Sequence, residues 1–317
     1  MTAVNQRVLK AALPVMIVAL VLFVVCRNVG RTMRRNFCLL LLLLTALLCS
    51  CENSSVSPTS ADANVPKSPA KPLPNAKEMI NRLITQDGCK DFSAEMLMSA
   101  TAVDGKGEQV EFRLQRKLSD DGAKTFLTVI SPREETDKAL LAIEKKDKPT
   151  EAYSYLAGLR KLARLDSSRT LGFRGSKVLV QELLGMELGQ YSHDSGERVN
   201  VEGEPLIKIE FTEKPYMSLA FPRIVGYFHE QTQQPASFEL FGRNGELQKK
   251  AVIGQVKTIQ NHQTITQVTI DDLSQKLNLQ LETRKIEYDQ NLPEKIFTEE
   301  NLKRVITEAS RRLDTGK

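Results

Sequence analysis

Histidine is scarce, and the few present are not arranged for chemistry. The chain has three, His193, His229 and His262, and no His-Glu-x-x-His, Gly-x-Ser-x-Gly or phosphate-cradling glycine loop. The patterns that supply a metal-activated water, an acyl-transfer nucleophile or a nucleotide site are therefore missing, and the expectation is a protein that is not an enzyme and needs no cofactor. "SHDSGE", residues 192–197, offers a histidine and acidic oxygens to a metal, but it reads better as a polar turn. Cysteine is scarce where a disulfide would need it. Of five, Cys26, Cys38, Cys49 and Cys51 lie in or beside apolar N-terminal segments, leaving Cys89 alone in the rest of the chain, so no intramolecular disulfide is expected there. "DGCKD" brings no histidine beside Cys89, which reads as an ordinary thiol. Charge of one sign is also lacking: 44 basic residues face 39 acidic ones, a net charge of +5, which gives no strong pull towards nucleic acid.

The leucine run from Leu39 to Leu48 is too short to span a bilayer, which takes about 20 apolar residues, but it suits the apolar region of a secretion signal. Met33-Arg34-Arg35 supplies the basic start of such a signal. Its end, "LCSC", places Leu48 three residues and the small Ser50 one residue before Cys51, which resembles the lipobox of bacterial lipoproteins. That resemblance implies cleavage before Cys51 and acylation, palmitate included, of its thiol. Cys49, preceded by Leu48, does not meet the small-residue condition. Glu52, where an aspartate would resemble an inner-membrane retention signal, points to the outer membrane. Upstream, "ALPVMIVALVLFVVC" leaves two readings of residues 1–32: a real membrane segment, or residues preceding a start at Met33. A signal complete without them favours the second.

Cys51 to Asn75 reads as a tether. Five Ser and five Pro stand among the 24 residues from Glu52 to Asn75, with no aromatic, a composition that cannot offset the entropy of ordering. As a flexible coil it spans about 25–30 Å.

From Ala76 the chain reads as one globular domain over 76–305, with 306–317 a polar C-terminal tail. Asn75 is a fair N-cap for a helix that puts Met79, Leu83 and Ile84 on one face. Period-two alternation then dominates: "VEFRLQRKL" sets Val110, Phe112 and Leu114 against Glu111, Arg113 and Gln115, between the turns "DGKGE" and "SDDGAK". It returns in "IKIEF", "SFELF", "TITQVTI" and "LNLQLET". This is an antiparallel sheet with one apolar face, long enough to curl. "YLAGLRKLARLDSSR" is ambiguous: Leu156, Leu159, Leu162 and Ala163 are spaced as on a basic amphipathic helix, whereas Tyr153, Tyr155, Ala157 and Leu159 alternate as in a strand.

"TFLTVISPREETDKALLAIE", "AYSYLAGLRKLARLDSSRTLGFRGSKVLVQEL", "FPRIVGYFHEQTQQPASFELFGRNGELQKK" and "YDQNLPEKIFTEENL" together resemble the outer-membrane lipoprotein-sorting proteins, similar to the periplasmic carrier LolA. Tyr155, Arg160, Arg164, Arg169, Phe173, Gly175 and Ser176 stand at the places of that family's central signature. The chain departs from it at Leu156-Ala157-Gly158, where the family has Leu-Pro, and at Lys177, where it has an aspartate. The resemblance implies that 153–165 is a strand. It implies a mainly β, α+β fold, an incomplete antiparallel β-barrel with covering helices. It also implies a periplasm-facing, lipid-anchored protein of the outer membrane that sorts or transfers lipids or lipoproteins. Phe112, Leu114, Phe126, Phe211 and Leu240 are the inward residues expected to hold acyl chains. Such residues serve equally as core beneath the covering helices, the commoner fate of a strand face. The basic residues of "RKLARLDSSR" are candidates for anionic head groups at the rim, or a solvated face. The other function class is a periplasmic sensor or adaptor whose groove binds a protein partner such as a membrane transporter.

Overall fold

Strands form here because branched and aromatic side chains at every second position bury one face of a pleated ladder. The computed structural model describes residues 72–315 apart from 86–87, 103, 167 and 174–175. The upstream segment 1–32, the signal 33–50, Cys51 and the tether as far as residue 71 lie outside the described residues.

Asn75 acts as the N-cap of α1 (Ala76–Thr85): its side-chain oxygen accepts the Glu78 N–H at 3.4 Å and its carbonyl accepts the Met79 N–H at 3.1 Å. Met79 and Ile80 are buried, and Leu83 and Ile84 pack beside them. A meander follows, formed by β1 (Asp91–Ala102), β2 (Gly107–Ser119), β3 (Gly122–Ser131), β4 (Ala139–Lys145), β5 (Lys148–Leu156) and β6 (Lys161–Leu165). Next comes an inserted segment: the hairpin β7 (Thr170–Phe173) and β8 (Ser176–Leu179), the short helix α2 (Val180–Leu183) and a 3-10 stretch, Gly185–Gln190. The second run is β9 (Tyr191–His193), β10 (Glu197–Val201), β11 (Glu204–Glu213), β12 (Arg223–His229), β13 (Pro235–Phe241), β14 (Leu247–Ile259), β15 (His262–Asp272) and β16 (Leu277–Tyr288). A 3-10 turn at Glu294–Phe297 leads into α3 (Glu299–Asp314).

The first strand pairs with the last. β1 joins β16, so both runs make one antiparallel sheet ordered β10-β11-β12-β13-β14-β15-β16-β1-β2-β3-β4-β5-β6, with β9 beside β11. β6 and β10 do not pair, so the sheet curls without closing. This is the expected mainly β architecture, an incomplete antiparallel barrel with few helices. Gly226 shows how tightly one face is filled. A Cβ there would meet the rings of Phe228, Phe238 and Phe211 at 2.9, 3.0 and 3.1 Å.

Residues 153–165 are neither the helix that the leucine spacing offered nor the single strand that the resemblance implies, but two strands and a turn. β5 and β6 form a hairpin around the 3-10 turn Ala157–Leu159, with Arg160 left-handed at φ 49°. Strand pairing wins because Tyr153 opposite Arg164 and Tyr155 opposite Leu162 satisfy the backbone while both tyrosines pack towards α3. Leu156 and Leu159, the leucines that carried the helical spacing, are left exposed.

Helix α3 begins at Thr298, whose hydroxyl accepts the Asn301 N–H at 3.2 Å. Glu299 and Glu300 in its first turn and Arg311 and Arg312 in its last suit the helix dipole. It runs through 306–314, which composition alone reads as a polar tail, and buries Leu302 and Ile306 against Phe126, Leu141 and Phe297. Each such side chain contributes about 1.5–3 kcal/mol.

Candidate functional site

Register settles which side chains share a face. Leu114 stands opposite Leu127, and Leu127 opposite Leu140; Phe126 stands opposite Gln115 and Leu141. Phe112 and Leu114 therefore belong to one face of the sheet and Phe126 to the other.

The first face is continuous. Val110, Met98, Leu281, Val268 and Ile253 lie opposite one another across β2, β1, β16, β15 and β14, linking two packed regions. Phe112 and Leu114 sit in one, with Phe92, Leu127 and Val129, beneath Val178, Val180 and Leu184 of the inserted segment. Phe211 and Leu240 sit in the other, with Ile209, Ile224 and Phe228, beneath Met79 and Ile80 of α1. All four are buried. Four of the five expected acyl-binding residues thus share a face, in two separate packings under covering segments, and Phe126 is not brought together with them.

Buried polar groups hold the inserted segment on this face. The Lys249 ammonium lies 2.8 Å from the Glu182 carboxylate of α2 and 2.6 Å from that of Asp272 on β15, all three side chains being almost wholly buried. Burial pushes the Asp272 carboxyl up, yet hydrogen bonds from Lys249, Ser274 and the Gln275 N–H outweigh it and hold the group below the usual aspartate value. Gln181 donates to the Tyr191 hydroxyl at 2.5 Å and accepts from the Ala220 N–H at 3.0 Å, while that hydroxyl donates to the Phe221 carbonyl at 2.6 Å. Burial pushes the Tyr191 phenol well up. The Thr150 hydroxyl donates to the Glu187 carboxylate and ties the 3-10 stretch to β5. Sequence reasoning missed this set. One signal was there: alternation in "LQKKAVI" puts Lys249 on the parity of Ala251 and Ile253, a lysine on an apolar face.

The second face carries a groove of about 1220 Å³ between β2–β3 and α3. Phe126, Ile130, Ile296, Val305 and Leu313 line it, with Arg113, Arg133, Lys295, Arg304 and Arg312 around them.

The signature residues scatter. Tyr155 packs near α3, Arg160, Arg164 and Arg169 are exposed, Phe173 ends β7, Ser176 begins β8, and Gly175 lies outside the described residues. Arg169 reaches Asp166 at 3.6 Å. The histidines are dispersed as well: His229 lies 2.9 Å from Glu204 and His262 lies 3.5 Å from Asp289. In "SHDSGE" the Asp194 carboxylate accepts the N–H groups of Gly196 and Glu210 at 3.0 and 3.2 Å, the bonds of a polar turn. Cys89 is buried and in no disulfide.

Solved structures share this architecture. A domain described as an outer membrane lipoprotein-sorting protein from Vibrio parahaemolyticus gives a TM-score of 0.63 at 19% identity, covering 71% of this chain and 97% of its own. A DUF1329 family protein from Desulfovibrio piger gives 0.63 at 18%, covering 71% and 96%. A LolA superfamily protein from Nitrosomonas europaea gives 0.61 at 16%, covering 72% and 99%. At these identities the likeness shows the fold, that of a LolA-like incomplete barrel. No curated protein matches the sequence. A family model described as "Uncharacterized protein" matches residues 121–304, more than half of the chain, and the chain belongs to that family.

Proposed function

We propose that the protein binds acyl chains of lipids or lipoproteins on the first face of its sheet, as a lipid-anchored, periplasm-facing protein of the outer membrane that sorts or transfers them. The observation that carries this reading is a continuous apolar face on an open sheet, covered by segments that are not part of that sheet. An acyl chain can replace such a cover because both offer hydrocarbon: each methylene buried gains about 0.8 kcal/mol, so about ten of them offset the few polar bonds that hold the inserted segment down. The fold shared with a domain described as lipoprotein-sorting supports the same role, and the lipobox-like "LCSC" supports the anchor at Cys51. Binding, not catalysis, is the activity.

The test uses the full chain in its membrane with a photoactivatable phospholipid. Adducts on peptides holding Phe112, Leu114, Phe211 or Leu240 are expected. If none forms on this face while a membrane transporter copurifies, the adaptor reading replaces this one.

A further inference from the structure

The groove on the second face has a different chemistry from the covered one. Along α3, Leu302 and Ile306 bury against the sheet, whereas Val305, Ala309 and Leu313, four residues apart and so on one stripe, stay half-buried at the groove wall. Phe126 and Ile130 of β3 form its floor, and Ile130 is 37% exposed, unusual for an isoleucine in a strand. An apolar stripe therefore runs along the groove, between polar residues that include Gln115, Thr128, Thr298 and Asn301.

Charge at the rim is one-sided. Arg113, Arg133, Lys295, Arg304 and Arg312 line the groove against Glu300 and Glu308. Arg113 is held by Glu95 at 2.6 Å and Arg304 by Glu308 at 3.1 Å, and Arg133 donates to the Arg312 carbonyl at 2.9 Å. The side chains of Lys295 and Arg312, at the two ends of the groove, have no ion-pair partner among the described residues.

We propose that this groove is a second site, which takes one acyl chain with an anionic head, a free fatty acid, its carboxylate meeting Lys295 or Arg312. Length agrees. The 16 residues of α3 extend about 24 Å, and a single leaflet's chain, half of a hydrocarbon core of about 30 Å, is about 15 Å. A peptide fits less well. The groove lies over β2 and β3, most of whose backbone groups are already paired with neighbouring strands, so an extended peptide would bury its own N–H and C=O groups without partners. An acyl chain has none to satisfy.

The experiment is photo-crosslinking of a diazirine palmitate to the full chain in detergent, with adducts located by peptide mass spectrometry. Adducts on Ile130, Ile296, Val305 or Leu313 are expected, and Lys295→Gln with Arg312→Gln should reduce them about tenfold while the melting temperature falls by no more than a few degrees, since both positions are exposed and only the helix-dipole contribution of Arg312 is lost. The matching diazirine alcohol, uncharged, should label the wild type less than the acid does. Absence of groove adducts, or equal labelling by acid and alcohol that is untouched by the charge changes, overturns the proposal. Adducts on the first face would report acyl-chain binding there, and the photoactivatable phospholipid tests that face by itself, so the two sites stand or fall apart.

Discussion

Lys249 is the residue on which the cover depends most. Removing its charge in Lys249→Ala leaves the carboxylates of Glu182 and Asp272 buried and facing one another. The expected loss is about 3–5 kcal/mol in denaturant unfolding, whereas breaking the exposed Lys285–Glu287 pair costs at most about 1 kcal/mol. Equal losses in the two variants would remove the buried triad from this account. Acid should act through the same group. The Asp272 carboxyl is held low in the folded chain, so its contribution is fully present above the unfolded value of about 3.9 and disappears as pH falls through the lower folded one. Stability of the wild type should therefore drop below about pH 4, and Asp272→Asn, already weaker at neutral pH, should show a shallower drop. At the other end of the chain, Cys51→Ala should abolish incorporation of labelled palmitate, and label that persists would move the acylated position to Cys49 or remove the anchor.

At the scale of elements, what could be read from sequence was what repeats locally. Val110, Phe112 and Leu114 alternate within one strand, and that strand stands where the alternation puts it. Leu156, Leu159 and Leu162 show the limit, because spacing reports only that apolar residues recur and says nothing of which surface receives them. No surface receives Leu156 or Leu159. Pairing of β1 with β16 is invisible for a related reason: neither strand carries any local mark of its partner nearly two hundred residues away. The same blindness hid the groove, since Phe126 shares the alternation of β3 but faces α3 across the sheet from Leu114. Ile306, in a stretch whose composition is polar, makes the point testable. Ile306→Ala should cost about 2–5 kcal/mol, as for a core aliphatic, and Leu159→Ser less than about 0.5 kcal/mol. A tail that merely trails from the domain would make the two equal.

For the whole molecule, the proposed role requires that an apolar face already filled take a ligand. The sheet itself is an improbable place for the opening, because its strands are paired from β10 to β6 without interruption. The inserted segment from β7 to the 3-10 stretch is different: its hairpin forms a separate two-stranded sheet, and buried side chains, not a strand ladder, hold it down. Units held in this way open at a smaller free energy than the core they cover. Loading the full chain with phospholipid should therefore speed amide exchange over 176–190 several-fold while β1, β2 and β16 keep their protection, and Lys249→Met should increase lipid uptake by loosening the same segment. Uptake that leaves exchange at 176–190 unchanged would mean that the cover does not move. The chain would then be taking its lipid without uncovering Phe112, Leu114, Phe211 and Leu240, and the pre-formed groove along α3 would have to be the entry site instead.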